Sequence, residues 1–327
     1  MTSRFAGLLL LALAALCASL LVGGTPLSAH AVFTALFHPH AGGDVVTIVW
    51  QLRLPRVCVA ALVGVQLAIA GALLQGMLRN PLVDPYLTGT SAGAGAAIAV
   101  AIVANVPAPL VPLVGFAAGL STALFVAALA RRGTGLDASR LILAGVSLSA
   151  LFSAFITLVL TREQAADYSS QIIAFLAGSM ASAGWRELGL ALPYTIAGIA
   201  LAVSAVPALN ALRIGDVRAA SAGVNVDRAQ WIILAAAALL SASAVALAGI
   251  VGFVGLIVPH VARRVVGTDA RRLIPASALI GAALCAVADA ASRTLVAPAE
   301  LPVGVLLAFV GVPTFLYLYL QRESVRA

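Results

Sequence analysis

Histidine, cysteine and paired charge are the usual carriers of reactivity, and this sequence holds little of each. His38-Pro39-His40, with His30 upstream, resembles the makings of a metal or haem ligand set. Pro39 holds that pair on an extended backbone, which suits separate solvent contacts better than chelation. Cys17, Cys58 and Cys285 sit in separate apolar runs without zinc or disulfide spacing, and read as small packing residues. His260 has no second titratable residue within a turn on its N-terminal side, so a structural hydrogen bond is expected there. No metal site and no catalytic residue follow from this set. All 19 basic residues are arginine. A nucleotide-binding P-loop needs its lysine on the phosphates, so the chain is not expected to hydrolyse ATP itself.

The remaining charge gathers at loops and helix ends. In the loop 212–224, Gly215 turns the chain, Asp216 is placed to N-cap a short helix, and Gly223 is suited to end it. A capped helix of about two turns between two long apolar runs makes a stiff lever for a soluble partner. Asp289 and Arg293 stand four apart, the spacing of a helical ion pair. Arg53, Arg56 and Arg293 flank apolar runs on the face with least basic charge. An acidic partner is one physical reason to keep them there, because guanidinium and carboxylate pair as bidentate forks. Glycines at 249, 252 and 255 permit close backbone approach, and Pro259 frees a carbonyl just beyond them.

Composition decides the solvent in which these residues are held. Of 327 residues, 62% are hydrophobic and 9% charged, with a mean hydropathy of +1.09. A soluble domain carries roughly 25% charged residues, so the outer surface here must face lipid. That excludes a soluble enzyme, a disordered chain and a disulfide-stapled secreted domain. Arginines scattered in ones and twos exclude a nucleic-acid face. A helix crossing the hydrocarbon core needs about 20 apolar residues.

Stretches free of acid and arginine predict an all-α polytopic protein, one domain over residues 1–327 with ten transmembrane helices. The spans are expected near 5–22, 57–78, 86–105, 112–130, 139–161, 188–209, 228–248, 250–266, 273–292 and 302–321. Prolines and glycines divide the two runs that are too long for one helix. The run 168–185, short and rich in serine and glycine, is expected as a surface or re-entrant helix. Gly89/Gly93 and Gly115/Gly119 recur at helix-contact spacing. The first apolar run is expected as a span, although Arg4 and Ser28-Ala29-His30-Ala31 imitate a signal peptide. With both termini cytoplasmic, fourteen of the 19 arginines lie inside.

Several motifs in order resemble one family: Arg53-Leu54-Pro55-Arg56, Gly71 to Gln75 followed by Asn80-Pro81-Leu82, and Gly89-Thr90-Ser91-Ala92-Gly93-Ala94-Gly95. Ser139-Arg140-Leu141-Ile142-Leu143-Ala144-Gly145, the Gly215-Asp216 loop, Gly252 to His260 and Glu300-Leu301-Pro302-Val303-Gly304 continue the series. The chain resembles the FecCD/BtuC-like permeases, membrane subunits of binding-protein-dependent ABC importers for iron-siderophores, haem and vitamin B12. The resemblance implies type II ABC importer permease architecture and a homodimer with a second permease copy. It also implies two ATP-binding cassette subunits that use ATP and Mg, a periplasmic substrate-binding protein, and a bacterial inner membrane location. No cofactor of the chain's own and no nucleic acid are implied.

By the same resemblance, residues 213–226 form the coupling segment, with Gly215, Asp216, Arg218 and Ala219 against the ATPase subunit. Ala222 stands where relatives carry a larger leucine, so a shallower contact is expected. Arg53, Arg56 and Arg293 match positions that receive glutamates of the binding protein. Asn80 and Leu82 match a cytoplasmic gate, with Ser139 in the neighbouring gate loop. The implied cargo is an iron chelate, siderophore or haem, moved from periplasm to cytoplasm by alternating access; cobalamin is the alternative. An ion-coupled secondary transporter would need an acidic residue at mid-span, and the sequence offers none.

Overall fold

The computed structural model describes residues 2–132, 135–161, 168–297 and 299–324. Arg162 and Arg326, counted above, lie outside the described residues, as do the side chains of Arg132 and Arg322. The helices run α1 (Thr2–Leu21), α2 (Ala29–Phe37), α3 (Asp44–Thr47), α4 (Leu54–Met77), α5 (Thr90–Val103), α6 (Val111–Ala130), α7 (Ala138–Leu160) and α8 (Ser169–Ala177). They continue as α9 (Trp185–Ser204), α10 (Val206–Leu212), α11 (Asp216–Ser221), α12 (Val226–Ala248), α13 (Val254–Val266), α14 (Ala270–Ser292) and α15 (Val303–Ser324). The one departure from all-helical structure among the described residues is an antiparallel rung between β1 (Arg131–Arg132) and β2 (Gly135–Leu136).

Among the described residues, seven helices are long and apolar enough to cross a membrane: α1, the continuous Asp44–Met77, Ala108–Ala130, α7, α9, α12 and α14. The chain is a multi-pass membrane protein. On three of the expected runs the helices have different bounds, each for a local reason. The run 86–105 yields only the 14 residues of α5. A 3₁₀ turn at Pro85–Thr88, Gly89 at φ 77° and Asn105 at φ 53° cut it at both ends. The run 250–266 starts late, because Phe253 takes a left-handed φ of 69° and α13 begins at Val254. The run 188–209 divides at Ala205 into α9 and α10, since Pro207 in the first turn of α10 has no N–H to continue the ladder.

Conversely, the second span extends well upstream of residue 57. A π-helical stretch, Ile48–Arg53, joins α3 to α4, and Leu54 N–H reaches back to the Val49 carbonyl. Pro55 donates nothing to this ladder, so the register shift falls beside it. Arg53 and Arg56 therefore lie within the helix rather than ahead of it.

α4 is the central post. Leu73, Leu74 and Met77 pack with Leu209 and Leu212 of α10 and with Ile233 and Leu234 of α12. A β-carbon on Gly64 would strike the Gly281 carbonyl, so glycine is what lets α4 and α14 cross in contact. Gly93 faces Thr122, Gly115 faces Ile98 and Gly119 faces Thr90, so the small-residue pairs meet across α5 and α6. Within this apolar packing Gln66 of α4 donates to Thr195 of α9 (2.6 Å) and Ser243 of α12 (2.9 Å). Such bonds tie helices that lipid gives no reason to associate. α1 lies along α14, with Ala12 and Ala15 against Ala283.

α8 is the short helix of the run 168–185. Its last turn, the Gly249–Ile250 break after α12 and the start of α15 converge, with Gly249 on the Phe175 carbonyl and Gly304 on the Ala177 and Ile250 carbonyls. Ile250 N–H donates to Phe175 O at 3.3 Å. Leu143, Leu151 and Leu158 of α7 remain exposed, a face left for lipid or a partner chain.

Candidate functional site

α11 is built by its two glycines and one arginine from a distant helix. Gly215 occupies the N-cap at φ 117° and supplies no side chain, so Asp216 is the first helical residue and not the cap. The Asp216 carboxylate instead accepts a fork from Arg79, at 3.1 Å to Nη1 and 3.4 Å to Nη2. Arg79 follows α4 at φ 53° and also donates to Leu212 O at 3.4 Å. The end of the central helix thus grips both sides of the turn into α11. Gly223, at φ 85°, closes the helix: its N–H meets Ala220 O (2.9 Å) and Val224 N–H meets Ala219 O (3.0 Å).

The outward face of α11 differs from the expected one. Ala219 is fully buried in the cluster around α4 and α12, so it seats the helix and does not present it. Arg218 and Ala222 are exposed, and so are Ile214 (61%) and Val217 (81%). These two aliphatic side chains were not among the expected contacts. Their three-residue spacing in an otherwise polar loop is the signal that would have found them.

Next to α11 lies the turn after α4. Asn80 accepts Leu82 N–H at 3.0 Å on its side-chain oxygen, an Asx turn that leaves Leu82 exposed. Buried Gln75 donates to Val83 O (3.1 Å) and Gly255 O (2.9 Å), and its own oxygen accepts from Arg263. The turn therefore hangs from α4 and α13 together. Ser139 sits exposed in the first turn of α7, where Asp137 caps Arg140 N–H at 2.9 Å. No hydrogen bond joins Ser139 to Asn80 or Leu82 among the described residues.

Downstream, Asp84 accepts Tyr86 N–H at 2.9 Å and also bonds the Phe253 N–H. Tyr86 Oη accepts Val251 N–H at 2.9 Å. The loop before α5 thereby clasps the break between α12 and α13. Burial pushes the Asp84 carboxyl up to about 6, against the two backbone donors that favour its charged form.

At the opposite end of the bundle, the three arginines expected to await a partner's carboxylates are already engaged. Arg53, 4% exposed, donates to Leu20 O (3.1 Å), Leu21 O (2.9 Å) and Thr25 O. Arg293, 5% exposed, donates to Ser19 O (3.0 Å) and Val22 O (3.1 Å) and pairs with Asp289 at 3.1 Å. Both satisfy the open carbonyls at the C-terminus of α1, where a helix leaves acceptors and partial negative charge. Arg56 bridges Asp289 (3.0 Å) and Glu300 (2.9 Å). Asp289 is fully buried between two guanidiniums, whereas the Glu300 side chain is 42% exposed. A cavity of about 540 Å³ opens at this same end, with Gln171, Ser179, Ser182, Arg186 and Glu187 in its wall.

His30, His38 and His40 are all exposed, and His38 Nδ1 donates to Thr34 O at 3.1 Å. The described residues hold no group of three side chains placed for a metal ion.

The sequence matches the FecCD transport family over residues 10–321. It is 40% identical to the hemin transport system permease protein HmuU of Yersinia pestis, covering 87% of this chain and 86% of that one. It is also 40% identical to the cobalamin import system permease protein BtuC of Halobacterium salinarum, over 84% of this chain and 74% of that one. A solved structure described as an inward-facing conformation of a metal-chelate type ABC transporter superposes with a TM-score of 0.86 at 30% identity, over 98% of this chain and 100% of that one. By its sequence match and by its fold, the chain belongs to the FecCD transport family.

Proposed function

We propose that the chain is the permease subunit of an ABC importer that moves an iron chelate, siderophore or haem, from periplasm to cytoplasm by alternating access. The names of its relatives span hemin, cobalamin and Fe(3+) dicitrate transport, and cobalamin is the second cargo. In this reading α5, α13 and α15 complete ten spans with both termini cytoplasmic, in a bacterial inner membrane. Two copies form the pathway. Two ATP-binding cassette subunits, using ATP and Mg, seat against α11 through Ile214, Val217 and Arg218. Asn80, Leu82 and Ser139 serve the cytoplasmic gate. The chain itself supplies no catalytic group and no cofactor.

A periplasmic binding protein docks at the end where α1 closes. Arg56 is the receiving cation there, since the exposed Glu300 can exchange for an incoming carboxylate while Arg53 and Arg293 hold α1. A buried acid is the usual mark of ion coupling. Asp289 sits between two guanidiniums, an ion-pair role that speaks against it as a free proton carrier.

The observation that carries this reading is the fork from Arg79 to Asp216, which ties α11 to the end of the central helix. Reversing either charge, Arg79→Asp or Asp216→Arg, should lower cargo uptake about tenfold while the partner's ATP hydrolysis persists. Combining the two reversals should restore uptake. Transport that is indifferent to both single reversals would remove α11 from the coupling path.

A further inference from the structure

Beside α11, where α4, α10 and α13 end and α14 begins, lies a cavity of about 280 Å³. Three guanidiniums from three elements line it, Arg79 after α4, Arg213 after α10 and Arg263 in α13, the last donating to Gln75, together with Thr268 and Leu273. The carboxylates that face this group are occupied. Both oxygens of Asp216 hold Arg79. Asp269 accepts Asn210 (2.7 Å) and Arg271 N–H (3.0 Å), and its charge reaches Arg213 without a hydrogen bond. Arg213 is partly buried, and its side chain makes no hydrogen bond among the described residues. Burial also holds that guanidinium below its ordinary value. A half-buried guanidinium fork that meets no protein hydrogen-bond acceptor among the described residues presents its donors to an anion entering the cavity.

We propose that this cavity binds a phosphate-bearing anion, gripped by Arg213 and Arg263 and shared with Arg79. Phosphate matches guanidinium forks in shape and charge, and basic pockets between membrane helices on the cytoplasmic side take phospholipid head groups. The two sources of such a group are an anionic lipid of the inner leaflet and free inorganic phosphate. The binding itself does not depend on the transport reading. Its consequence does: an occupant draws on the same Arg79 that holds Asp216, and so weakens the hold of α4 on α11.

The test uses the full chain purified in detergent, with native mass spectrometry to count retained phosphatidylglycerol against phosphatidylcholine. Inorganic phosphate is added as competitor. Retention of phosphatidylglycerol should fall about tenfold in Arg213→Gln, the effect of one charge-assisted hydrogen bond. Arg213→Gln breaks no hydrogen bond described for the folded chain, and an unchanged melting temperature checks that it folds. Arg213→Lys, which keeps charge without the fork, should fall between. Displacement by millimolar phosphate identifies the free anion as the occupant, and resistance to it identifies the lipid. Equal retention in wild type and Arg213→Gln, or no preference for phosphatidylglycerol, together with no phosphate-induced rise in melting temperature, would overturn the proposal.

Discussion

Arg53 and Arg293 reach the carbonyls at the end of α1 from two different helices, and their burial explains why. At a buried helix C-terminus the last carbonyls need protein donors, and a guanidinium supplies several at once. Arg293 also neutralises Asp289, which is fully buried. Replacing Arg293 by alanine should therefore cost about 3 kcal/mol, the loss typical of an ion pair broken in the interior, since Arg56 still faces the acid. Thermal unfolding in detergent would measure it. Glu300→Gln should leave the melting temperature near that of the wild type and tighten binding-protein docking by freeing Arg56. The four-residue spacing of Asp289 and Arg293 made their pair legible in the sequence. The capping of α1 was not, because Arg293 and Ser19 are 274 residues apart and local pattern carries no sign of that contact.

Helix boundaries were readable where glycine or proline marks them, and less so where side chains decide. Pro55 marks the register shift in the second span, Pro85 and Gly89 the start of α5, and Pro207 the division of α9 from α10. The late start of α13 turns on Phe253 in a left-handed conformation, held by Asp84 from another loop, and no residue type at 253 announces that. The clasp carries a pH signature. The Asp84 carboxyl has a folded value near 6, above its ordinary 3.8. Between these values the folded chain binds the proton and the unfolded chain does not, so stability rises as pH falls from 6 toward 4 and is lost as pH rises through 6. Asp84→Asn should flatten that slope, read as the melting temperature across pH 4–7. An unchanged slope would place the titration elsewhere. α11 shows the same division: both glycines were foreseeable as its ends, while the burial of Ala219 and the grip of Arg79 depend on packing.

The whole molecule is a helical body of lipid-facing surface, with the short polar helix α11 at its arginine-rich end and a cluster of paired charge at the other. The proposed function has a neighbouring subunit do the work of transport, acting through α11. That claim has a direct measurement. Proteoliposomes holding the chain, with haem or a ferric chelate presented by its binding protein, can be assayed with and without an ATP-binding cassette subunit. The account predicts accumulation against a gradient only when both the subunit and ATP are present. Uphill accumulation by the chain alone, or under an ion gradient without ATP, would contradict it.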